Sequence, residues 1–491
     1  MKLNLGYFFQ KEPAGDGYVA NRDILNYAVG LTGQNVTYSF VSGGGWLRYF
    51  CINILHIPEK TVGTIFALSY LWDAVNDPVV GAFIDRRRHK PYQKLRPYLL
   101  YFPPIIGALS MLMFLKVPFN DTGKIVYILC LYFVWDFFYS FQDVGLWGMI
   151  ALSSPHSEER ARIAQWVSIG AGAGGAIAGV FQMVRSAMNG AGMTDVTVFL
   201  VFGAVFGLGG ELLSMRAHKI KELVAGGEPE ENILKSLTIL RHNPTLLLIS
   251  LARFSQSLSP KVADAYFFEN CVTFMDGKNA HFLYGLLAGI PGACAIFFAN
   301  KIAKKVGGMK KLLILSQLAA VALRLIVFFI GYNSLGQFIA MTLLISLVNL
   351  PGSLMDIAHR SLTSDSIDEV ELKTGVRTEG VSFAMQNFTS KMQSAAGTFI
   401  EGQLLSRLGY NRYAIEQGVK QNATFIKWQW PMFMLGPIVG SVLYLIAISF
   451  VRDNKEHRAE VERQLKARKA ALQEGDETVG DESFAVSDEK T

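Results

Sequence analysis

Residues 61–100 read TVGTIFALSYLWDAVNDPVVGAFIDRRRHKPYQKLRPYLL. An apolar run closes on a basic cluster (Arg86, Arg87, Arg88, Lys90, Lys94, Arg96), and a second apolar run starts just beyond it. A bilayer core takes about 20 mostly apolar residues per helix, and short basic connections mark its cytoplasmic face. The pattern recurs along the chain, with apolar runs near 25–51, 61–84, 98–116, 125–152, 163–184, 196–215, 244–271, 282–300, 312–331, 335–358, 380–405 and 430–451. Composition agrees. Of 491 residues, 51% are hydrophobic and 18% charged, against roughly 25% charged in soluble domains. The chain is predicted to be an all-α polytopic membrane protein with twelve transmembrane helices.

A polar stretch at 216–243, with Gly226, Gly227, Pro229 and the acids Glu228, Glu230 and Glu231, separates six runs from six. The expected organisation is an N-terminal segment 1–24, a six-helix half 25–215, a linker 216–243, a second half 244–451 and a tail 452–491. From Glu474 onward the tail is acidic, poor in apolar residues, and expected to be disordered. Lys and Arg gather in the even-numbered connections, so both termini are expected in the cytoplasm and the chain in the plasma membrane. Residues 1–24 lack the apolar core of a signal peptide. Topology then accounts for the net charge of +6 without a nucleic-acid partner. Cys51, Cys130, Cys271 and Cys294 show no paired spacing, which argues against a disulfide framework or metal site. The run Gly43 to Gly45 is expected to kink span one.

Ionisable residues inside the spans carry the functional signal, since a charge at bilayer depth costs about 2.5–3.5 kcal/mol on insertion scales. Asp73 and Asp77 lie one turn apart with Asn76 beside them, so both carboxylates share a helix face. Pro78 lacks the N–H that would bond the carbonyl of Ala74. Carboxylates and a freed carbonyl are the oxygen ligands a hard cation prefers. In span four, Asp136, Ser140, Asp143 and Trp147 form a polar stripe with Tyr139 adjacent. In span eleven, Gln386, Asn387, Ser390 and Gln393 surround Lys391, and small residues follow. Such groups can also be buried ion pairs that hold helices together. Adjacent acids without an equal number of bases favour a cation site with a competing ammonium. Arg253, Arg324 and the pair Lys261 and Asp264 read better as local pairs or as side chains reaching an interface.

Four segments together resemble the glycoside–pentoside–hexuronide:cation symporters: DAVNDPVVGAFIDRR with LRPYLL, FQDVGLWGMIALSS with SEERARIAQW, SLTSDSIDEVELKTGVRTEG, and SFAMQNFTSKMQSAAG. The resemblance runs in order from about Leu25 to Val451. It implies a major facilitator fold of two six-helix halves and sugar or glycoside uptake coupled to Na⁺, Li⁺ or H⁺. It assigns Asp73, Asp77, Asp143 and Lys391 to the cation site, and Tyr139 and Trp147 to the sugar site. Three positions depart. A sugar-binding acid of the first helix falls at Asn35, preceded by Gln34, a sugar-binding arginine falls at Ser168, and the arginine before the span-two acids falls at Tyr70. These changes remove a charge pair, so neutral glycosides or pentosides are expected, with a uronate left open by Lys391.

A pyranose needs an aromatic platform and convergent amides and hydroxyls, which Gln34, Asn35, Tyr139, Trp147 and Asn387 together supply. The expected function is a symporter that works as a monomer in the lipid bilayer, with no cofactor beyond its coupling cation. A facilitator or exporter of another solute is the alternative, and a non-transporting receptor or scaffold a weaker one. No nucleophile–base pair, metal set or phosphate loop argues for an enzyme.

Overall fold

The computed structural model describes residues 17–43, 45–86, 93–223, 243–295, 305–306, 308–374, 379–417 and 419–451, with 460–461 and 463–464. Residues 1–16, most of the expected linker and nearly all of the expected tail lie outside this set. Within it, each apolar run forms one or more helices.

Span one is two helices, α1 (Asn21–Tyr38) and α2 (Trp46–Asn53), separated by a π-helical stretch at Ser39–Gly43. Gly45 precedes α2 with φ of 73°, a left-handed conformation glycine adopts without steric cost. The kink expected at the glycine run is therefore a full break. α3 (Glu59–Arg86), α4 (Arg96–Met113) and α5 (Asp121–Leu152) are continuous. Span five divides at Val180 into α6 (Ser157–Gly179) and α7 (Phe181–Gly190). Span six runs through α8 (Asp195–Phe202), a π-helical stretch and α9 (Gly210–Ser214). Span seven is α10 (Pro244–Ser255) and α11 (Asp264–Cys271), with non-helical backbone at 259–263 between them. Then follow α12 (Gly277–Ala295), α13 (Met309–Ile330), α14 (Leu335–Thr374), α15 (Glu379–Arg407), the short α16 (Ala414–Gln417), α17 (Ala423–Met434) and α18 (Gly436–Ser449).

By length and composition alone, five helical stretches among the described residues can cross a membrane: 121–150, 162–190, 195–219, 309–330 and 423–449. Others are interrupted, as at Gly45 and 259–263, or carry polar side chains, as α3 and α15 do.

Helices in lipid gain little from hydrophobic exclusion and depend on close packing. α3 and α15 lie antiparallel and touch where glycine faces glycine. A Cβ added at Gly402 would stand 2.8 Å from Gly63 Cα and 2.7 Å from the Glu59 carbonyl oxygen. One apolar cluster joins Phe40, Phe50, Phe114 and Phe199 to Tyr266, Leu405 and Phe425, so both parts of the chain meet through it. Three further clusters stay within one part each: that of Tyr27 and Leu146 before the linker, those of Phe267 with Phe433 and of Leu313 with Tyr444 after it.

Charged residues of the recognised motifs secure the opposite end. Arg162 pairs with Glu159 at 2.6 Å and reaches Asn21 and the Val19 carbonyl. The Glu222 carboxylate accepts from the backbone N–H groups of Lys94, Leu95 and Arg96 at 2.8, 2.7 and 3.1 Å, capping α4.

Gly402→Ala should therefore lower the thermal stability of the detergent-solubilised protein by the equivalent of about 1–3 kcal/mol. Gly172→Ala, where an added Cβ meets nothing within 4 Å, should leave it unchanged or raise it. Melting curves of the two variants against the parent make the comparison.

Candidate functional site

The antiparallel contact of α3 and α15 brings Lys391 onto the carboxylates of span two. Its ammonium lies 2.9 Å from Asp73 Oδ1 and ion-pairs with Asp77 Oδ2 as well. It also donates to a backbone carbonyl at 3.2 Å. That carbonyl is Asp73's, not the Ala74 carbonyl expected from Pro78. Two like charges one helical turn apart repel unless a cation lies between them, and here the cation is a lysine from a helix 314 residues further along the chain. Lys391, Asp73 and Asp77 are all partly exposed.

Asp143 is held elsewhere. Gln34 donates to its Oδ1 at 3.2 Å and also to the Tyr139 hydroxyl. Asn35 donates to Gln34 Oε1 at 2.7 Å and to the Leu31 carbonyl at 3.0 Å. Gln34, Asn35, Tyr139 and Asp143 thus form a second polar knot, between α1 and α5. Among the described residues no three His, Cys, Asp or Glu side chains are grouped as metal ligands. Of the four residues expected at the cation site, Lys391, Asp73 and Asp77 are in direct contact, and Asp143 makes no ion pair with them but lies within reach of their charges. Asn76 links α5 back to α3, donating to Ser140 Oγ at 3.0 Å and interacting with the Asp136 carboxylate. Asp136 is buried at 4% exposure, and its Oδ2 has no hydrogen-bond partner among the described residues.

The aromatic face of the second knot is a stack, Tyr38 on Tyr139 at 5.6 Å and Trp135 on Tyr139 at 4.7 Å between ring centroids. Trp147 is 45% exposed, and Asn387 is exposed on α15. The Trp147 indole nonetheless faces Asp143, whereas Asn387 stays outside the knot. Ser168 bonds the Ala164 carbonyl of its own helix at 2.8 Å.

A cavity of about 700 Å³ lies between the two parts of the chain. Gly43, Arg48 and Tyr70 line it from one side, and α10, α13, α14, α15 and the non-helical 259–263 backbone from the other. Gln34, Asn35, Tyr139, Trp147 and Asn387 do not line it. The first three satisfy one another instead. Tyr70 and Ser394 do line it, each three residues from Asp73 or Lys391, so the cavity borders the carboxylate–lysine cluster.

Sequence reasoning missed a second set of buried charges. Arg185 of α7, with 0% exposure, pairs with Asp195 at 2.7 Å and with Glu269 of α11 at 2.7 Å. It donates to the Tyr49 hydroxyl at 2.9 Å, and that hydroxyl donates to Glu269 Oε2 at 2.6 Å. Arg48 of α2 pairs with Glu401 of α15 at 3.3 Å. These bonds tie the two parts of the chain together at the end where Gly63 meets Gly402. Each of these charges lies near a span end and reads as interfacial when taken singly. Nothing in the sequence pairs partners this far apart.

Comparison with known proteins follows this geometry. A family model described as MFS/sugar transport protein matches residues 26–454. A putative 2,3-dihydroxypropane-1-sulfonate exporter of Salmonella typhimurium is 25% identical, over 91% of this chain and 96% of its own. A putative glycoside/cation symporter of Escherichia coli K12, YagG, is 26% identical, over 90% of this chain and 94% of its own. The crystal structure of a variant of the nucleoside transporter NupG superposes with a TM-score of 0.60, covering 88% of this chain and 100% of that one. At 13% identity that last likeness is one of fold alone.

Two outcomes test the geometry. In a double-mutant cycle of Asp73→Asn and Lys391→Gln, the second substitution should cost less stability when the first is present, with a coupling of about 0.5–3 kcal/mol from melting curves. Arg185→Gln should speed amide hydrogen exchange in 45–53 and 264–271 without changing that of α13, read by mass spectrometry.

Proposed function

Because the chain belongs to the MFS/sugar transport protein family, and is a membrane transporter rather than an enzyme, we propose that it is a secondary active symporter importing a sugar or glycoside with Na⁺ or H⁺ by alternating access. Its architecture on this reading is twelve spans in two halves, 25–215 and 244–451, with both termini in the cytoplasm.

The observation that carries the proposal is the ammonium of Lys391 set between Asp73 and Asp77. A membrane-depth pair of acids is costly, and a protein that only needed helix adhesion gains nothing from the second acid. A coupling cation entering between the carboxylates displaces the ammonium, and Lys391 then turns toward the cavity that Ser394 lines. Cation binding and sugar binding favour each other through this exchange, and the linkage is reciprocal. Li⁺ would act as Na⁺ does. Asp143, held by Gln34, is a neighbouring acid on the same path, with Trp147 and the Tyr139 stack as its aromatic surroundings.

The Arg185 cluster and the Arg48–Glu401 pair support a conformation closed at the end of α3 that carries Glu59. By the placement of basic loops this end is the outer one, so the state is inward-facing.

The name of the Salmonella relative raises a second reading, export on the same scaffold. Both directions use one cavity and one cation cluster, and the gradient decides between them.

Uptake into proteoliposomes, with glycosides, pentosides and uronates under separate Na⁺ and pH gradients, is the test. Accumulation driven by one gradient supports symport. Flux that never exceeds equilibrium under either gradient overturns it. Asp73→Asn and Asp143→Asn should each reduce gradient-driven accumulation at least tenfold while reducing exchange of internal for external sugar less. Undiminished accumulation in both variants would remove these acids from the cation path.

A further inference from the structure

The charge of the cavity wall differs from what the first-half residues lead one to expect. Among the described residues, four bases line the cavity, Arg48, Arg253, Lys261 and Arg324, against two acids, Asp264 and Glu401. Arg48 and Glu401 neutralise each other at 3.3 Å. Arg253 donates to Gln386 Oε1 and Ser390 Oγ at 2.9 and 3.1 Å. Lys261 and Asp264 were expected to pair locally, yet no ion pair within 4.0 Å joins them among the described residues. Arg324 of α13 donates to a neutral acceptor, the Phe433 carbonyl, at 3.2 Å. No described carboxylate lies within ion-pair distance of it.

A guanidinium carries five N–H donors in a planar fork that fits a carboxylate or another oxyanion with two parallel bonds. One carbonyl leaves most of that fork unused. The rest of the same wall is rich in hydroxyl and amide groups, among them Gln256, Ser259, Gln393 and Ser441. These are the partners that hydroxyl groups of a ligand need. The cavity volume of about 700 Å³ lies within the ~300–1,000 Å³ typical of small-molecule sites.

We propose that the second-half wall of this cavity is an anion subsite, in which Arg324, with Lys261, receives the acidic group of a polyhydroxylated solute. The acidic group is a carboxylate or a sulfonate, since both present oxygen atoms in the geometry the fork accepts. The inference rests on the sugar-transport reading and narrows it to acidic sugars. Specificity then arises from two walls. The second half reads the charge, and the hydroxyl and amide groups around it read the ring. In this structure Asp73 and Asp77 hold the Lys391 ammonium and Lys391 does not line the cavity, whereas Arg324 and Lys261 do.

The test uses the purified full-length chain in nanodiscs and equilibrium binding in the presence of Na⁺. The probes are glucuronate, 6-deoxy-6-sulfoglucose, methyl glucoside and xylose. The wild type is expected to bind at least one acidic probe ten times more tightly than either neutral one. Arg324→Gln should lower that acidic-to-neutral ratio at least tenfold, and Arg324→Lys should retain part of it. If Arg324→Gln does not fold, Lys261→Gln should lower the ratio at least threefold. The glucuronate and sulfoglucose arms separate a carboxylate ligand from a sulfonate.

Neutral probes that bind as well as acidic ones, with Na⁺ or pH dependence, overturn the anion subsite and leave sugar symport standing. An equal loss of acidic and neutral binding in Arg324→Gln overturns it too. Acidic binding that ignores both cations keeps the subsite and removes the symport reading. Binding of none of the four overturns both.

Discussion

The structure depends on one contact between two distant helices, the seating of Lys391 from α15 between Asp73 and Asp77 of α3. Two carboxylates one turn apart inside a membrane demand a positive partner, and no residue of α3 within reach provides it. The partner arrives because α3 and α15 lie in van der Waals contact at Gly63 and Gly402. That contact is about 15 Å further along α3, at 1.5 Å per residue. A neutral contact sets the register of the two helices, and a charged one fills the site. The two tasks are thus separated along the helix pair.

The same separation appears on a larger scale. Where Tyr49, Arg185 and Glu269 meet, both halves of the chain share one apolar cluster and a dense set of buried hydrogen bonds. Away from that end, the apolar clusters among the described residues do not cross between the two parts of the chain. Buried ion pairs are costly to assemble but strongly resist loss of one partner. A contact of this type suits a joint that is fully made or fully open, with little stability in between.

Much of the fold was legible because hydropathy reports burial in lipid directly. Among the described residues each apolar run forms one or more helices, and the glycine run in span one is a break. The breaks at Val180 and at 259–263 were hidden, because residues that interrupt a helix inside a protein can remain as apolar as those that continue it. In the site, the i, i+4 spacing of Asp73 and Asp77 and the isolation of Lys391 pointed to one cluster, and the structure assembles it. Asp143 looked equivalent because it continues a polar stripe on α5. Its direct partner is Gln34 on α1, while the charges of Asp77, Lys391 and Asp73 still reach it, a combination that no helical period announces. Asn35 and Tyr139 were legible as polar groups, but their partners were not, since side-chain hydrogen bonds across 105 residues leave no periodic trace. For Arg324 and Lys261 the sequence suggested local neutralisation. Only the cavity reveals that their nearest described partners are neutral or share the same wall.

α14 has a mechanical consequence. Its 40 residues make a rod about 60 Å long, roughly twice the thickness of the hydrocarbon core. Its C-terminal part is no free stalk: Leu362, Thr363, Ser366, Ile367 and Val370 are buried, and Asn243, at the head of α10, donates to the Ser366 hydroxyl at 3.1 Å. Met355 and His359 of the same helix line the cavity. One unbroken rod thus runs from the cavity wall to the first turn of α10, and a tilt at the wall is transmitted to the point where the second part of the chain begins.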